Sequence, residues 1–201
     1  DCRSCSREGL YSLIDTAYQG LGDGLDEDAY GLRMMADRLP ELLVASSCSK
    51  NFGLYRERTG SITFIAENAK QADIVASQAM SVARQIYSMP PAHGALIVSL
   101  ILGDAALRAN WETELTEVRS RIQSMRTLLT DSIQNNAAGV DFSHVQQQKG
   151  MFSFLGLNTD QLDQLRNEFG IYIVSSSRVN LAGINSSNIG YLSSSILSVL
   201  K

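Results

Sequence analysis

A helical repeat that ends on a proline and runs straight into a hydrophobic strand constrains this chain more than any other feature. Ala29, Leu32, Met35 and Leu39 recur at helical spacing behind Asp26, a candidate N-cap, and Pro40 stops the helix. Leu42 to Ala45 follows at once as a short apolar run with the pattern of a strand. Upstream, Tyr11 to Asp15 reads as a buried strand ending on an acid, with Gly20, Gly22 and Gly24 in the loop behind it. Downstream, after NFGLYRERTG, the run SITFIAE alternates as another strand. Strand, helix, strand and strand within the first third point to an α/β sheet.

The remainder separates into a connecting helix and a second block. Ile74, Ala79, Val82, Ala83 and Ile86 predict a helix between Ala69 and Ile86, broken by Met89-Pro90-Pro91, and a further helix runs from His93 to Leu102. From Asn110 to Ile133 the stripe Trp111, Leu115, Val118, Ile122, Met125, Leu128 and Leu129 faces a charged side, the pattern of a long helix joining two domains. Beyond it MFSFLGL, a helix through Leu162 and Leu165, IYIVSS and RVNLAG read as strand, helix, strand and strand, and Ile189 to Leu200 as a last helix. The expected division is 1–110, a connecting helix over 111–135, and a small α+β domain over 136–201.

Charge and cysteine usage exclude several functions. Seventeen Lys and Arg against 21 Asp and Glu in 201 residues leave a net charge of −4, with no basic excess to neutralise a phosphate backbone or an anionic membrane. No nucleic-acid or membrane partner is expected, and no apolar run approaches the roughly 18 residues of a spanning helix. Three cysteines, Cys2, Cys5 and Cys48, are an odd count that suits a reducing, cytoplasmic setting better than a disulfide framework. Cys2-x-x-Cys5 is half of a zinc pattern, but no second CxxC follows and His93 and His144 lie far off, so no metal is expected. Asp1 to Gly9 is polar throughout, without the basic-then-apolar order of a signal peptide.

The chemistry concentrates behind the Leu42 strand, in Ser47-Cys48-Ser49-Lys50-Asn51-Phe52-Gly53. In open α/β sheets ligands bind at that end of a strand. Ser47, Ser49 and Arg58 surround Lys50 with donors suited to a phosphate, while Asp15 ends the preceding strand and Tyr18 lies just beyond it. Parallel neighbouring strands would bring these groups together. Pyridoxal 5′-phosphate needs this set: an amine for a Schiff base, a carboxylate for the pyridine nitrogen, and donors for the phosphate and phenolic oxygen. Ser47-x-x-Lys50 also has the nucleophile-plus-lysine spacing of penicillin-binding proteins and class A β-lactamases, but the chain has neither Lys-Thr-Gly nor Ser-Asp-Asn.

Asp15-x-x-Tyr18-Gln19-Gly20, followed by Ser47-x-Ser49-Lys50-Asn51-Phe52-Gly53-Leu54-Tyr55-x-Glu57-Arg58-x-Gly60, resembles the aspartate and aromatic amino acid aminotransferases, which are class I, fold type I pyridoxal phosphate enzymes. The likeness continues in order through Tyr87-Ser88-x-Pro90-Pro91-x-His93-Gly94-Ala95, Gly150-Met151-Phe152-Ser153-Phe154 and Ser177-Arg178-Val179-Asn180-x-Ala182-Gly183, and so runs from about Leu13 to the end.

This resemblance implies the C-terminal part of a large cofactor-binding domain, with a mixed, mostly parallel sheet and helices, plus the small α+β domain. It implies Lys50 as Schiff-base lysine and proton shuttle, Asp15 on the pyridinium nitrogen, Tyr18 on the phenolic oxygen, and Ser47, Ser49 and Arg58 at the phosphate. Arg178 would grip the substrate α-carboxylate and Phe152 would line the pocket. Arg84 would reach into the neighbouring subunit's site of a homodimer and pair with a dicarboxylate's distal carboxylate. The implied reaction passes the amino group of aspartate or an aromatic amino acid to 2-oxoglutarate. Family members carry a whole segment before the Asp15 strand, so the other half of the site is expected from residues this chain lacks. An inactive fragment, folding or dimerising through its remaining core, is the alternative.

Overall fold

The computed structural model describes residues 11–136 and 140–200. Its chain divides into two compact units: one runs to Gly20 and resumes over Gly24–Leu115, and the other takes Leu21–Asp23 and continues from Thr116. Cys2 and Cys5 lie outside the described residues.

In the first unit, β1 (Leu13–Thr16), α1 (Leu25–Asp28), α2 (Tyr30–Arg38), β2 (Leu42–Ser47) and β3 (Gly60–Ile65) follow one another. The sheet order is β1-β2-β3, with β1 parallel and β3 antiparallel to the central β2. β2 turns Leu42 and Val44 inward, and with Leu39 they form a small core against Ile14, Leu32, Met35, Ala36 and Ile65. That alternation is the period of a strand buried on one face. Gly60 is dictated by the antiparallel pair Ser47↔Gly60, since a Cβ there would stand 2.4 Å from the carbonyl oxygen of Ser46.

The helix predicted behind Asp26 is broken in two. Gly24, not Asp26, precedes α1, and the helical path is interrupted at Ala29. The acids face other tasks: Asp26 accepts from Arg33 at 2.8 Å, and Asp28 accepts the Gly20 amide at 2.8 Å.

Two helices continue the unit, α3 (Ala69–Ile86) and α4 (His93–Gly103). Asn68 caps α3 by accepting from the Gln71 amide at 3.1 Å, and the Pro90-Pro91 break separates the pair as its sequence requires. Ile62 and Phe64 of β3 with Ile74, Val75, Val82 and Ile86 of α3 line an open apolar groove of about 480 Å³. α5 (Ala105–Gln134) starts on Asp104, whose Oδ1 accepts from the amides of Ala106 (2.9 Å) and Leu107 (3.0 Å), and runs into the second unit. Along it Leu115, Ile122, Leu129 and Ile133 are buried, while Val118 and Leu128 of the predicted stripe are about half exposed. No single helix among the described residues is long and apolar enough to cross a membrane.

The second unit contains α6 (Ser143–Gln146), β4 (Phe152–Phe154), α7 (Thr159–Phe169), β5 (Arg178–Asn180) and α8 (Ile189–Val199). β4 and β5 pair antiparallel. The core is continuous here: Ile122, Leu129 and Ile133 pack with Val145, Leu155, Leu162, Leu165, Leu181 and Ile196. Two strand expectations shrink. MFSFLGL pairs only at Phe152–Phe154, although Leu155 and Leu157 continue the inward alternation. IYIVSS forms no strand: Ile171 and Ile173 point toward the core, but no neighbouring strand pairs with them, and Ser177 at φ 61° breaks the extended path before β5.

Asn158 begins α7 with a reciprocal capping box, accepting from the Gln161 amide at 2.9 Å while Gln161 Oε1 accepts the Asn158 amide at 3.0 Å. Asn158→Ala is expected to cost about 1 kcal/mol. Leu165→Ala, from a fully buried position, should cost roughly 2–5 kcal/mol. Urea unfolding followed by circular dichroism compares the two, and equal losses would contradict this ranking.

Candidate functional site

The candidate residues fall into two sets, one in each unit. In the first unit the parallel register sets Asp15 beside Ala45 and Thr16 beside Ser46, so β1 and β2 end at one edge of the sheet. The loop carrying Tyr18 and the turn carrying Lys50 both leave from that edge. Lys50 Nζ lies over the Tyr18 ring, 4.7 Å from its centroid. Such a contact contributes about 0.5–1 kcal/mol at a partly exposed site. Ser49 is buried, its amide donates to Ser47 Oγ at 3.2 Å, and the two hydroxyls are 3.1 Å apart.

Asn51 joins the two loops, donating from Nδ2 to the Gln19 carbonyl at 3.3 Å. Its Oδ1 is buried without a hydrogen-bond partner. Trp111 Nε1–H donates to the Asn51 carbonyl at 2.8 Å, and the Trp111 ring stacks on Phe52. Sequence periodicity assigned Trp111 to a core stripe. Nothing in the sequence spacing reveals that its N–H reaches a backbone atom 60 residues away.

Arg58 enters β3 from the same end and is exposed, with left-handed backbone at φ 52°. Its guanidinium donates to the Tyr55 carbonyl at 3.1 Å. The flanking residues are pinned by the start of α4. His93 Nδ1 is 3.0 Å from Glu57 Oε2, and a Cβ on Gly94 would fall 1.9 Å from Thr59 Oγ1 and 2.7 Å from Glu57 Cβ. Arg84 is exposed on the last turn of α3, where its carbonyl accepts from the amides of Tyr87 and Ser88. Ser88 follows at φ 64°.

In the second unit, Arg178 begins β5, and its guanidinium carbon lies 4.6 Å above the Phe152 ring. The two are diagonal neighbours, because the register pairs Phe152 with Asn180 and Phe154 with Arg178. Neither phenylalanine is a core residue: Phe152 is half-buried, Phe154 is exposed, and Ser153 between them is the buried position. Arg126 fills the space beneath, donating to Ser153 Oγ at 3.3 Å and to the Gly150 carbonyl. Burial pulls the Arg126 guanidinium below its ordinary pKa. Ser177, also buried, carries φ 61°, and its Oγ accepts the Leu157 amide at 2.9 Å.

Arg58, Ser88 and Ser177 are the non-glycine residues with left-handed backbone among those described. Each is a candidate residue or lies within four positions of one. Backbone strain of about 1–3 kcal/mol per residue persists where the surroundings over-determine the conformation.

Two outcomes follow from this geometry. Gly94→Ala drives a methyl group into Thr59 and should cost about 1–3 kcal/mol in unfolding measurements while disturbing the Arg58 turn. Burial also raises the Cys48 thiol above its ordinary value, so less thiolate is present at a given pH. Alkylation of Cys48 should therefore lag behind that of a cysteine in an unstructured peptide and accelerate at a higher pH; equal rates would refute the shift.

The family model described as aminotransferase class I and II matches residues 2–196. The chain is 53% identical over 195 residues to an aspartate aminotransferase of Haemophilus influenzae, covering 97% of this chain and 49% of that protein. It is 47% identical over 193 residues to an aromatic-amino-acid aminotransferase of Pseudomonas aeruginosa, covering 96% of this chain and 48% of the relative. Among solved structures, the aromatic-amino-acid aminotransferase of Burkholderia pseudomallei, covalently bound to pyridoxal phosphate, superposes with a TM-score of 0.96 at 40% identity over 100% of this chain and 50% of that one. The chain thus spans about half the length of the curated relatives it matches. With its mixed α/β fold and this likeness across nearly its whole length, the chain belongs to the class I and II aminotransferases.

Proposed function

We propose that this chain carries the lysine-bearing half of a pyridoxal phosphate-dependent aminotransferase that moves the amino group of aspartate or an aromatic amino acid to 2-oxoglutarate. The observation that carries the reading is the Lys50 amine over the Tyr18 ring, at the common end of two parallel strands of which one bears Asp15. The donor set fits the cofactor: an amine, a phenol, two serine hydroxyls and a guanidinium stand at or just beyond one end of the sheet, with the Asp15 carboxylate on β1. The covalently bound pyridoxal phosphate of the Burkholderia pseudomallei relative adds support.

Pyridoxal phosphate, when bound, supplies a carbonyl carbon for the lysine and a protonated ring that withdraws electrons from the substrate's α-carbon. Lys50 would hold the cofactor through its Nζ, and the same amine would serve as the base that carries a proton to and from that α-carbon. Asp15 accepts from the ring nitrogen and keeps its proton in place. Tyr18 donates its hydroxyl to the phenolic oxygen. Ser47, Ser49 and Arg58 serve the phosphate.

Arg178 binds the substrate α-carboxylate with its planar fork, which the Phe152 ring supports from below. Phe152 thereby forms part of the pocket wall. Arg84 acts in the neighbouring subunit of a homodimer and selects a distal carboxylate; the relative from Psychrobacter sp. B6 cocrystallised with aspartic acid supports an amino acid substrate. Residues 1–110 are read as the C-terminal part of the large domain, 111–135 as the connecting helix and 136–201 as the small domain. A cytoplasmic setting belongs to the same reading.

Titration of the purified chain with pyridoxal phosphate, beside Lys50→Ala, tests the reading. A visible absorbance band that Lys50→Ala lacks, and that bleaches on adding aspartate or tyrosine, is expected. Identical spectra for the two proteins would leave the chain a folded remnant of the family without cofactor chemistry of its own.

A further inference from the structure

The turn that bears Lys50 is gripped by one side chain from a distant part of its unit. Trp111 donates its indole N–H to the Asn51 carbonyl at 2.8 Å, and its ring centroid lies 4.4 Å from that of Phe52 with the planes only 8° apart. The Asn51 carbonyl and the Phe52 nitrogen belong to one planar peptide unit. A single indole therefore holds that unit by an edge and its following side chain by a face. The next peptide upstream begins at Lys50.

The backbone–backbone bonds that close this turn on itself are long. The Gly53 amide reaches the Lys50 carbonyl at 3.2 Å and the Leu54 amide the Cys48 carbonyl at 3.4 Å, at or beyond the long end of the ordinary range. Asn51 keeps a buried Oδ1 unpartnered while its Nδ2 reaches toward Gln19, an arrangement that a free turn would relax by rotating the side chain to water. The contact to Gln19 ties the turn to the residue after Tyr18, whose ring lies beneath the Lys50 amine. A lysine amine stands at the end of four flexible methylenes, so its position is only as defined as the backbone frame that carries it.

We propose that Trp111 is a positioning residue for Lys50: its N–H bond to Asn51 and its stack on Phe52 fix the turn so that the amine is presented over Tyr18. The proposal rests on the reading of Lys50 as the cofactor lysine. Trp111 touches neither the amine nor any reacting atom, and it acts through Asn51 and Phe52.

The test uses the full chain and two variants, Trp111→Phe, which keeps a stacking ring but removes the N–H, and Trp111→Leu, which removes both. Each protein is mixed with pyridoxal phosphate across a pH series and reduced with borohydride, which fixes the label on whichever amine has condensed with the aldehyde. Peptide mass mapping then gives the share on Lys50 relative to Lys70 and Lys149. Thermal midpoints and hydrogen exchange of the Gly53 and Leu54 amides are read on the same proteins without cofactor.

In the unaltered chain Lys50 should take the larger share. Trp111→Leu should cut that share by about tenfold, as expected when a reacting group is misplaced by a fraction of an ångström or more. Trp111→Phe should fall between, with faster exchange at Gly53 and Leu54 in both variants. Equal Lys50 shares in all three proteins would overturn the role of Trp111 alone, even if the thermal midpoints fall. Loss of selectivity already in the unaltered chain, with Lys70 and Lys149 labelled as readily as Lys50, would overturn the reading of Lys50 and this proposal with it.

Discussion

The candidate site of the first unit depends on the parallel register of β1 on β2. A strand pair in that sense ends at one edge, so the loop after Asp15 and the turn after Ser47 emerge side by side. The antiparallel return of β3, pairing Gly60 with Ser47, then delivers the Arg58 turn to the same edge. A one-residue slip of β2 against its neighbours would send Leu42 and Val44 to the wrong face and remove the small core that holds the sheet, and a slip of β1 or β3 would withdraw Ile14 or Ile65 from it. Register is therefore tied to burial, and the edge that gathers the polar groups is tied to register.

The second unit solves a similar problem with different material. Its strands are three residues each, too short to be rigid alone. Arg126 compensates by running a buried cation beneath them to Ser153 and the Gly150 carbonyl, and the side-chain amide of Gln148 brackets Phe154 with bonds of 2.7 and 3.1 Å. Ser177 ends the incoming segment in a left-handed turn and places Arg178 at the first paired position. In both units an exposed arginine, Arg58 or Arg178, itself adopts or directly follows a left-handed backbone conformation that needs outside support.

Much of this was legible in the sequence because it follows from local rules. The Leu42 strand, the helix over Ala69 to Ile86 and the Pro90-Pro91 break depend on period and on proline geometry, and each stands where those rules put it. The ordered sequence patterns carried the family. The errors came where a longer-range partner decides. Asp26 looks like a cap but pairs with Arg33, because the backbone had already turned helical before it. IYIVSS alternates like a strand, yet alternation specifies only which side chains face the core, and a strand also needs a neighbour. The buried position of β4 belongs to Ser153, and its partner Arg126 lies on a helix 27 residues away, which no local pattern reveals. The grip of Trp111 on Asn51 was invisible for the same reason.

That grip also gives the molecule an optical property. Trp111 is the chain's sole tryptophan, so all of its indole emission originates at the stack on Phe52, one residue from the Asn51 carbonyl it binds. The fluorescence spectrum of the whole protein is thus a local signal from the lysine turn, undiluted by any other indole. Any ligand, pressure or temperature that loosens this turn will register as a change in the colour and lifetime of that emission.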